Sequence, residues 1–168
     1  FQFDTGGRGP AIPRPGFNGA AVVTSLDGGS IVAVANVQET RQNYLEAYNG
    51  FAAATSTGKV SCPSILKNYY KYNTSLTVQN ADTTATNLQL NFINSGGATV
   101  ATRTVNNLPP GATYFNYNPG MVELPDGFAG AVVIQSSGNA KIVAVVNELF
   151  GTGAEAGDQL FTYSCSNS

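Results

Sequence analysis

The sequence predicts an all-β protein. An antiparallel sandwich of immunoglobulin-like or jelly-roll type spans residues 61–168, and residues 1–60 hold a partial β repeat of the same type. Three observations predict this. A stretch occurs twice: Phe17–Asn36 reappears 111 positions later as Phe128–Asn147, with ten of the twenty paired positions identical. Between Cys62 and Cys165 seven short apolar-alternating runs are separated by Gly, Pro, Asn or Ser, which is the rhythm of a sandwich. Finally, a repeat of 111 residues cannot be complete twice in 168, so one whole unit follows the back half of another.

Residues 1–16 are rich in Gly and Pro and form no helix; Phe1 and Phe3 alternate with polar neighbours, as in a donated strand. Next come two expected strands, 19–25 and 30–37, joined as a hairpin through Asp27-Gly28, because Gly tolerates the positive φ of a tight turn. Residues 39–48 read as helical or irregular, and 51–58 as a strand leading to a linker. In the complete unit the expected strands are 76–79, 88–92, 99–105, 112–117, 130–135, 141–149 and 159–164. The repeated pair is nearly continuous in apolar residues, which suits central strands. Val132 and Ile134 should share one face, and so should Ile142, Ala144 and Val146.

Composition narrows the class further. Charged residues make up only 11% of the chain, with Asn, Gln, Ser and Thr in their place, and the net charge is −2. Such a surface opposes self-association weakly and offers no phosphate-binding patch, so nucleic acid is not an expected partner. No apolar run approaches the roughly 18 residues of a membrane-spanning helix. The chain begins at Phe1, either as a fragment or as a mature protein whose export signal has been removed. Cys62 and Cys165 bracket the complete unit, and a disulfide between them would staple its first strand to its last. Disulfides are uncommon in the cytosol, so an extracellular or cell-surface location is expected.

Several catalytic chemistries are absent. The chain has no His, which removes Ser-His-Asp and Cys-His machinery and the common zinc sites. The pair Glu123 and Asp126 reads as solvated turn residues beside Pro125, and no enzyme is expected. No cofactor is expected either; the weak calcium candidates are Glu123 with Asp126, and Glu155 with Asp158, neither in a twelve-residue calcium loop. Tyr70, Tyr72 and Tyr117 are candidates for a carbohydrate- or protein-binding face, against the alternative that they serve the core and a strand edge. Asn73-Thr74-Ser75 fits the N-glycosylation pattern.

The motifs at Pro63–Tyr70, Thr74–Asn80, Pro109–Gly111, Leu124–Phe128 and Val143–Glu148 resemble, in the same order, those of a family of β-sandwich repeats. That family occurs in secreted and cell-surface proteins of filamentous thermophilic bacteria of the Chloroflexi type. The resemblance covers 62–165, and 17–50 as a trailing half-unit in which Asn36-Val37-Gln38-Glu39 departs from the pattern. It implies a scaffold fold and a surface location, and it supplies no activity. The expected function is a structural subunit of an extracellular assembly or filament, joined to copies of itself or to adjacent domains by strand complementation. The alternative is a secreted adhesin-like or carbohydrate-binding module.

Overall fold

The computed structural model describes residues 19–39, 44–151 and 158–168. Phe1, Phe3 and the Gly/Pro-rich extension therefore lie outside the described residues, as does Glu155. Eleven strands run in chain order: β1 (Val34–Glu39), β2 (Tyr44–Asn49), β3 (Lys59–Lys67), β4 (Tyr72–Asn80), β5 (Thr86–Asn94), β6 (Thr99–Leu108), β7 (Thr113–Tyr117), β8 (Phe128–Ser136), β9 (Ile142–Phe150), β10 (Leu160–Ser164) and β11 (Ser166–Asn167). They form an antiparallel five-stranded sheet, β11-β3-β8-β5-β6, a four-stranded sheet, β10-β9-β4-β7, and the separate hairpin β1-β2.

The two larger sheets enclose one core, a sandwich-like arrangement. The five-stranded sheet contributes Val60, Ile65, Leu88, Leu90, Phe92, Val132 and Ile134; the four-stranded sheet contributes Leu76, Val78, Ile142, Ala144 and Val146. The expected alternation in β8 and β9 is found, and both are central strands: β8 lies between β3 and β5, and β9 between β10 and β4. Gly130 in β8 answers a steric demand, since a Cβ there would stand 2.1 Å from the Ile93 carbonyl oxygen of β5. A disulfide joins Cys62 and Cys165, whose Cα atoms are 4.6 Å apart, and ties β3 to the segment between β10 and β11.

The N-terminal elements depart from expectation. Residues 19–33 carry no strand, so the hairpin expected over 19–37 does not form. The turn itself is present: the Asp27 carboxylate accepts from the Ser25 hydroxyl (2.6 Å) and the Gly29 amide (3.2 Å), with Gly28 at φ 76°. The counterparts of its flanks, β8 and β9, do not pair with each other either; they sit in opposite sheets and draw their partners from elsewhere. The helical or irregular character expected over 39–48 gives way to strand β2. The strand expected over 51–58 is replaced by a short 3-10 turn, Ala53–Thr55, and a single bridge from Thr57 to Ile142. Strands β3 and β11 were not expected; Pro63 and the bulge between Cys62 and Ile65 obscure the alternation of β3.

Hairpin β1-β2 has the register of hairpin β9-β10. Val34 opposes Asn49 and Gln38 opposes Leu45, as Val145 opposes Ser164 and Leu149 opposes Leu160. A constant displacement of 111 residues relates the first strands, and one of 115 relates the second. The closing bonds correspond too: the Gly50 amide donates to the Ala33 carbonyl (2.7 Å), and the Cys165 amide to the Ala144 carbonyl (2.9 Å). Strand β2 lies alongside β10, held in part by the Leu45 amide donating to Asp158 (3.3 Å).

Candidate interaction site

Chemically similar residues occupy opposite environments in the two copies of the repeated stretch. Val23 is 64% exposed, whereas its counterpart Ile134 is 0% exposed. Ile31 and Val32 are 51% and 96% exposed, against 0% and 7% for Ile142 and Val143. Val22, Leu26, Val34 and Leu45 are exposed as well, so half of the large exposed apolar side chains among the described residues fall between residues 22 and 45. Clusters of exposed large apolar side chains mark contact sites. Strand β1 adds an edge that is open among the described residues, because β2 pairs with only one of its sides.

The larger sheets treat their edges unequally. Where β8 leaves the backbone of β3 unpaired, side chains fill in. The Tyr163 hydroxyl accepts from the Ser64 amide (3.0 Å) and donates to the Ser64 carbonyl (2.5 Å). Thr74 Oγ1 accepts from the Leu66 amide and donates to its carbonyl (both 3.2 Å), and Asn118 donates to that carbonyl and to Thr74 Oγ1. Burial pushes the Tyr163 phenol up to about 12, opposed by its bond to the Ser64 backbone. Side-chain plugs of this kind remove an edge from further pairing. No such plug covers β6 or β7: among the described residues each pairs with one strand, β5 and β4 respectively. Val100 on β6, and Phe115 and Tyr117 on β7, are exposed beside these open edges.

The tyrosine candidates do not converge on one face. Tyr70 and Lys71 occupy the two central positions of a tight turn, with φ 46° and 72°, closed by reciprocal bonds between the Tyr69 and Tyr72 backbones (3.1 and 2.8 Å). Tyr72 shares its side of β4 with the buried Leu76 and Val78, and its ring lies 4.8 Å from that of Phe150. Tyr117 opposes Ser75, which by strand alternation belongs to the other face of the sheet. A shallow depression of about 380 Å³ lies elsewhere, beside Pro63, Leu66 and Ala129–Ala131. Asn73 uses its side-chain oxygen to accept from the Asn68 amide (2.8 Å).

The three described carboxylates among the calcium candidates, Glu123, Asp126 and Asp158, have protein partners. Glu123 pairs with Arg103 at 2.5 Å, and this contact lowers the Glu123 pKa and raises that of Arg103. Asp126 accepts from Asn68 (2.9 Å) and lies 3.5 Å from the Lys67 ammonium. That ammonium is buried, donating to the carbonyls of Met121 and Leu124 at 2.7 Å each. It supplies the positive charge for the 121–126 loop. Asp158 caps Leu160 (3.2 Å) and receives the Leu45 amide. Among the described residues no three His, Cys, Asp or Glu side chains converge as a metal site would require, and no helix is long and apolar enough to cross a membrane.

Sequence reasoning missed Tyr163 and Lys67. Tyr163 was legible, since Leu160-Phe161-Thr162-Tyr163 repeats the pattern of Leu45-Glu46-Ala47-Tyr48, but a loop four residues longer hides it from an ungapped comparison. Lys67 carried no signal, because a lysine beside tyrosines reads as surface.

These features define an all-β protein of antiparallel sheets packed in sandwich-like fashion. No family model matches the sequence, and no curated protein matches it. The solved structure titled "Crystal Structure of Thermotoga maritima 1070" is similar, with a TM-score of 0.51, 14% sequence identity, and coverage of 64% of this chain and 91% of that one. At that identity the likeness concerns the fold alone.

Proposed function

We propose that the protein is a structural subunit of an extracellular assembly or filament, joined to its neighbours through β-strand contacts. The observation that carries this reading is the exposed apolar stretch 19–34, whose counterparts fill the core 111 residues later. On this reading residues 1–60 are half of a sandwich repeat, and the shared register of β1-β2 and β9-β10 supports it. The missing strands come from outside the chain, either from copies of itself or from adjacent domains. The disulfide supports an oxidising, extracellular location, and the resemblance to surface repeats points the same way. Main-chain hydrogen bonds along an open edge would give affinity, and alternating side chains would set register.

The adhesin-like or carbohydrate-binding alternative rests on the tyrosine cluster, and the placement of Tyr72 and Tyr117 on opposite faces does not favour it. Size-exclusion chromatography and negative-stain microscopy across a concentration series test the assembly reading. Concentration-dependent oligomers or fibres are expected. A sharp monomer at every concentration, in the oxidised protein, would overturn it.

A further inference from the structure

We infer that residues 19–37 of one chain close the β6/β7 side of a second copy, adding one strand to each of its two sheets. The inference rests on the assembly reading and specifies its donor and its acceptor. In the complete unit β8 belongs to the five-stranded sheet and β9 to the four-stranded sheet, and residues 137–141 carry the chain across. The corresponding crossing in the exposed stretch is residues 26–30, the same five positions. The stretch is therefore spaced to straddle two sheets about 10 Å apart.

The acceptor must present one open edge in each sheet on the same side of the sandwich. The consecutive strands β6 and β7 do so: β6 ends the five-stranded sheet, β7 ends the four-stranded sheet, and the two strands lie close together. The directions agree. A segment antiparallel to β6 followed by one antiparallel to β7 runs up one sheet and down the other, as β8 and β9 do, because β6 is antiparallel to β5 and β7 to β4. The remaining edges are less available. That of β3 is plugged by Tyr163, Thr74 and Asn118, and β2 lies along β10.

The side chains fit such an arrangement. Ala21 and Val23 correspond to core-facing Val132 and Ile134, and Ile31 and Ala33 to core-facing Ile142 and Ala144. In the acceptor they would extend the core past Val105, Ala112 and Tyr114, which already pack partly against it. The copy also keeps a glycine, Gly19, where β8 needs Gly130 to let a neighbouring strand approach. On the other sheet, Val34 would meet the aromatic side chains of β7, a favourable cross-strand class.

The occupant is a second copy because donor and acceptor are different surfaces of one chain. A stable interface buries about 800 Å² on each partner, which the nineteen residues 19–37 reach at about 42 Å² each. The contact is heterologous, so it propagates unless a rotation closes it into a ring.

The test uses the oxidised full-length chain. Val23→Asp with Ile31→Asp changes two exposed side chains, so the fold of 59–168 is retained and is verified by unchanged thermal unfolding. Burying two unpaired carboxylates in the acceptor should weaken assembly by about a hundredfold or more. Hydrogen exchange of the wild-type assembly should show new amide protection at 20–25 and 31–37 together with 99–108 and 113–117. A synthetic peptide of residues 19–37 added to the wild-type chain should block growth by occupying the acceptor. Wild-type assembly by the Asp variant, or protection at other edges only, would overturn this inference and leave the assembly reading standing. A wild-type chain that stays monomeric would overturn both.

Discussion

Reducing the Cys62–Cys165 bond perturbs this fold with little change to its native contacts. The bond closes a loop with a sequence separation of 103, and nearly all of the two-sheet unit lies within it. On the chain-entropy account, constraining an unfolded loop of that length contributes about 4.7 kcal/mol. For a chain of this size about 1 kcal/mol shifts the melting temperature by roughly 2–4 °C, so reduction should lower it by about 9–19 °C. Both sulfurs are buried, so slow reduction of the native state is expected unless the end of the chain opens. The first structure to loosen should be β11, a two-residue strand paired only with Val60 and Ser61. Intact mass under non-reducing conditions establishes the bond. Circular-dichroism melts with and without reductant, with hydrogen exchange over 160–168, then read the two effects. A melting temperature that falls by less than about 2 °C would refute the reasoning, as would middle strands that open before β11.

Ile142→Ala should lower the stability of the unassembled chain by about 2–5 kcal/mol, because it empties a fully buried site. The same change at its counterpart, Ile31→Ala, should stay within about 0.5 kcal/mol; equal urea midpoints for the two variants would reject the contrast in burial. Lys67→Ala removes the donor to two loop carbonyls and should cost about 3 kcal/mol or more, with faster amide exchange over 121–127. Lys67→Met, which keeps the packing, should recover only part of that loss. Tyr163→Phe unplugs β3 and should cost about 1–3 kcal/mol. It should also change the alkaline limb of stability. The folded phenol titrates at about 12, above the roughly 10 of an unfolded tyrosine, so its contribution is full below pH 10 and is lost as pH rises toward 12. The Phe variant should therefore lose less stability between pH 10 and 12 than the wild type; identical slopes would place the Tyr163 phenol outside that balance.

Much of the fold was legible because strand alternation is local. Leu76 and Val78, Leu88 to Phe92, and the second Ile-Val-Ala-Val segment, Ile142 to Val145, each announce a strand locally, and the structure finds strands at all three. Where the local signal was interrupted, the reading failed. Pro63 and its bulge concealed β3, and the two-residue turn at Tyr70-Lys71 broke the alternation that would have set Tyr70 and Tyr72 on one face. The assignment of 39–48 to helical or irregular structure failed because β2 takes its strand form from pairing with β1.

By itself, the sequence determined that one apolar stretch occurs twice, that the second copy belongs to a core, and that two cysteines bracket one unit. Each follows from side-chain chemistry and spacing along one chain. Only the tertiary structure decided that β8 and β9 lie in opposite sheets, so that residues 137–141 cross between layers rather than closing a hairpin. It alone decided that Tyr163 and Thr74 plug one edge while β6 and β7 stay open. The physical reason is that a strand's hydrogen-bonding groups are the same whatever its sequence. Which neighbour satisfies them depends on segments far apart in the chain, and of the same Ile-Val-Ala-Val, Ile142 and Ala144 are core whereas 31–34 are exposed.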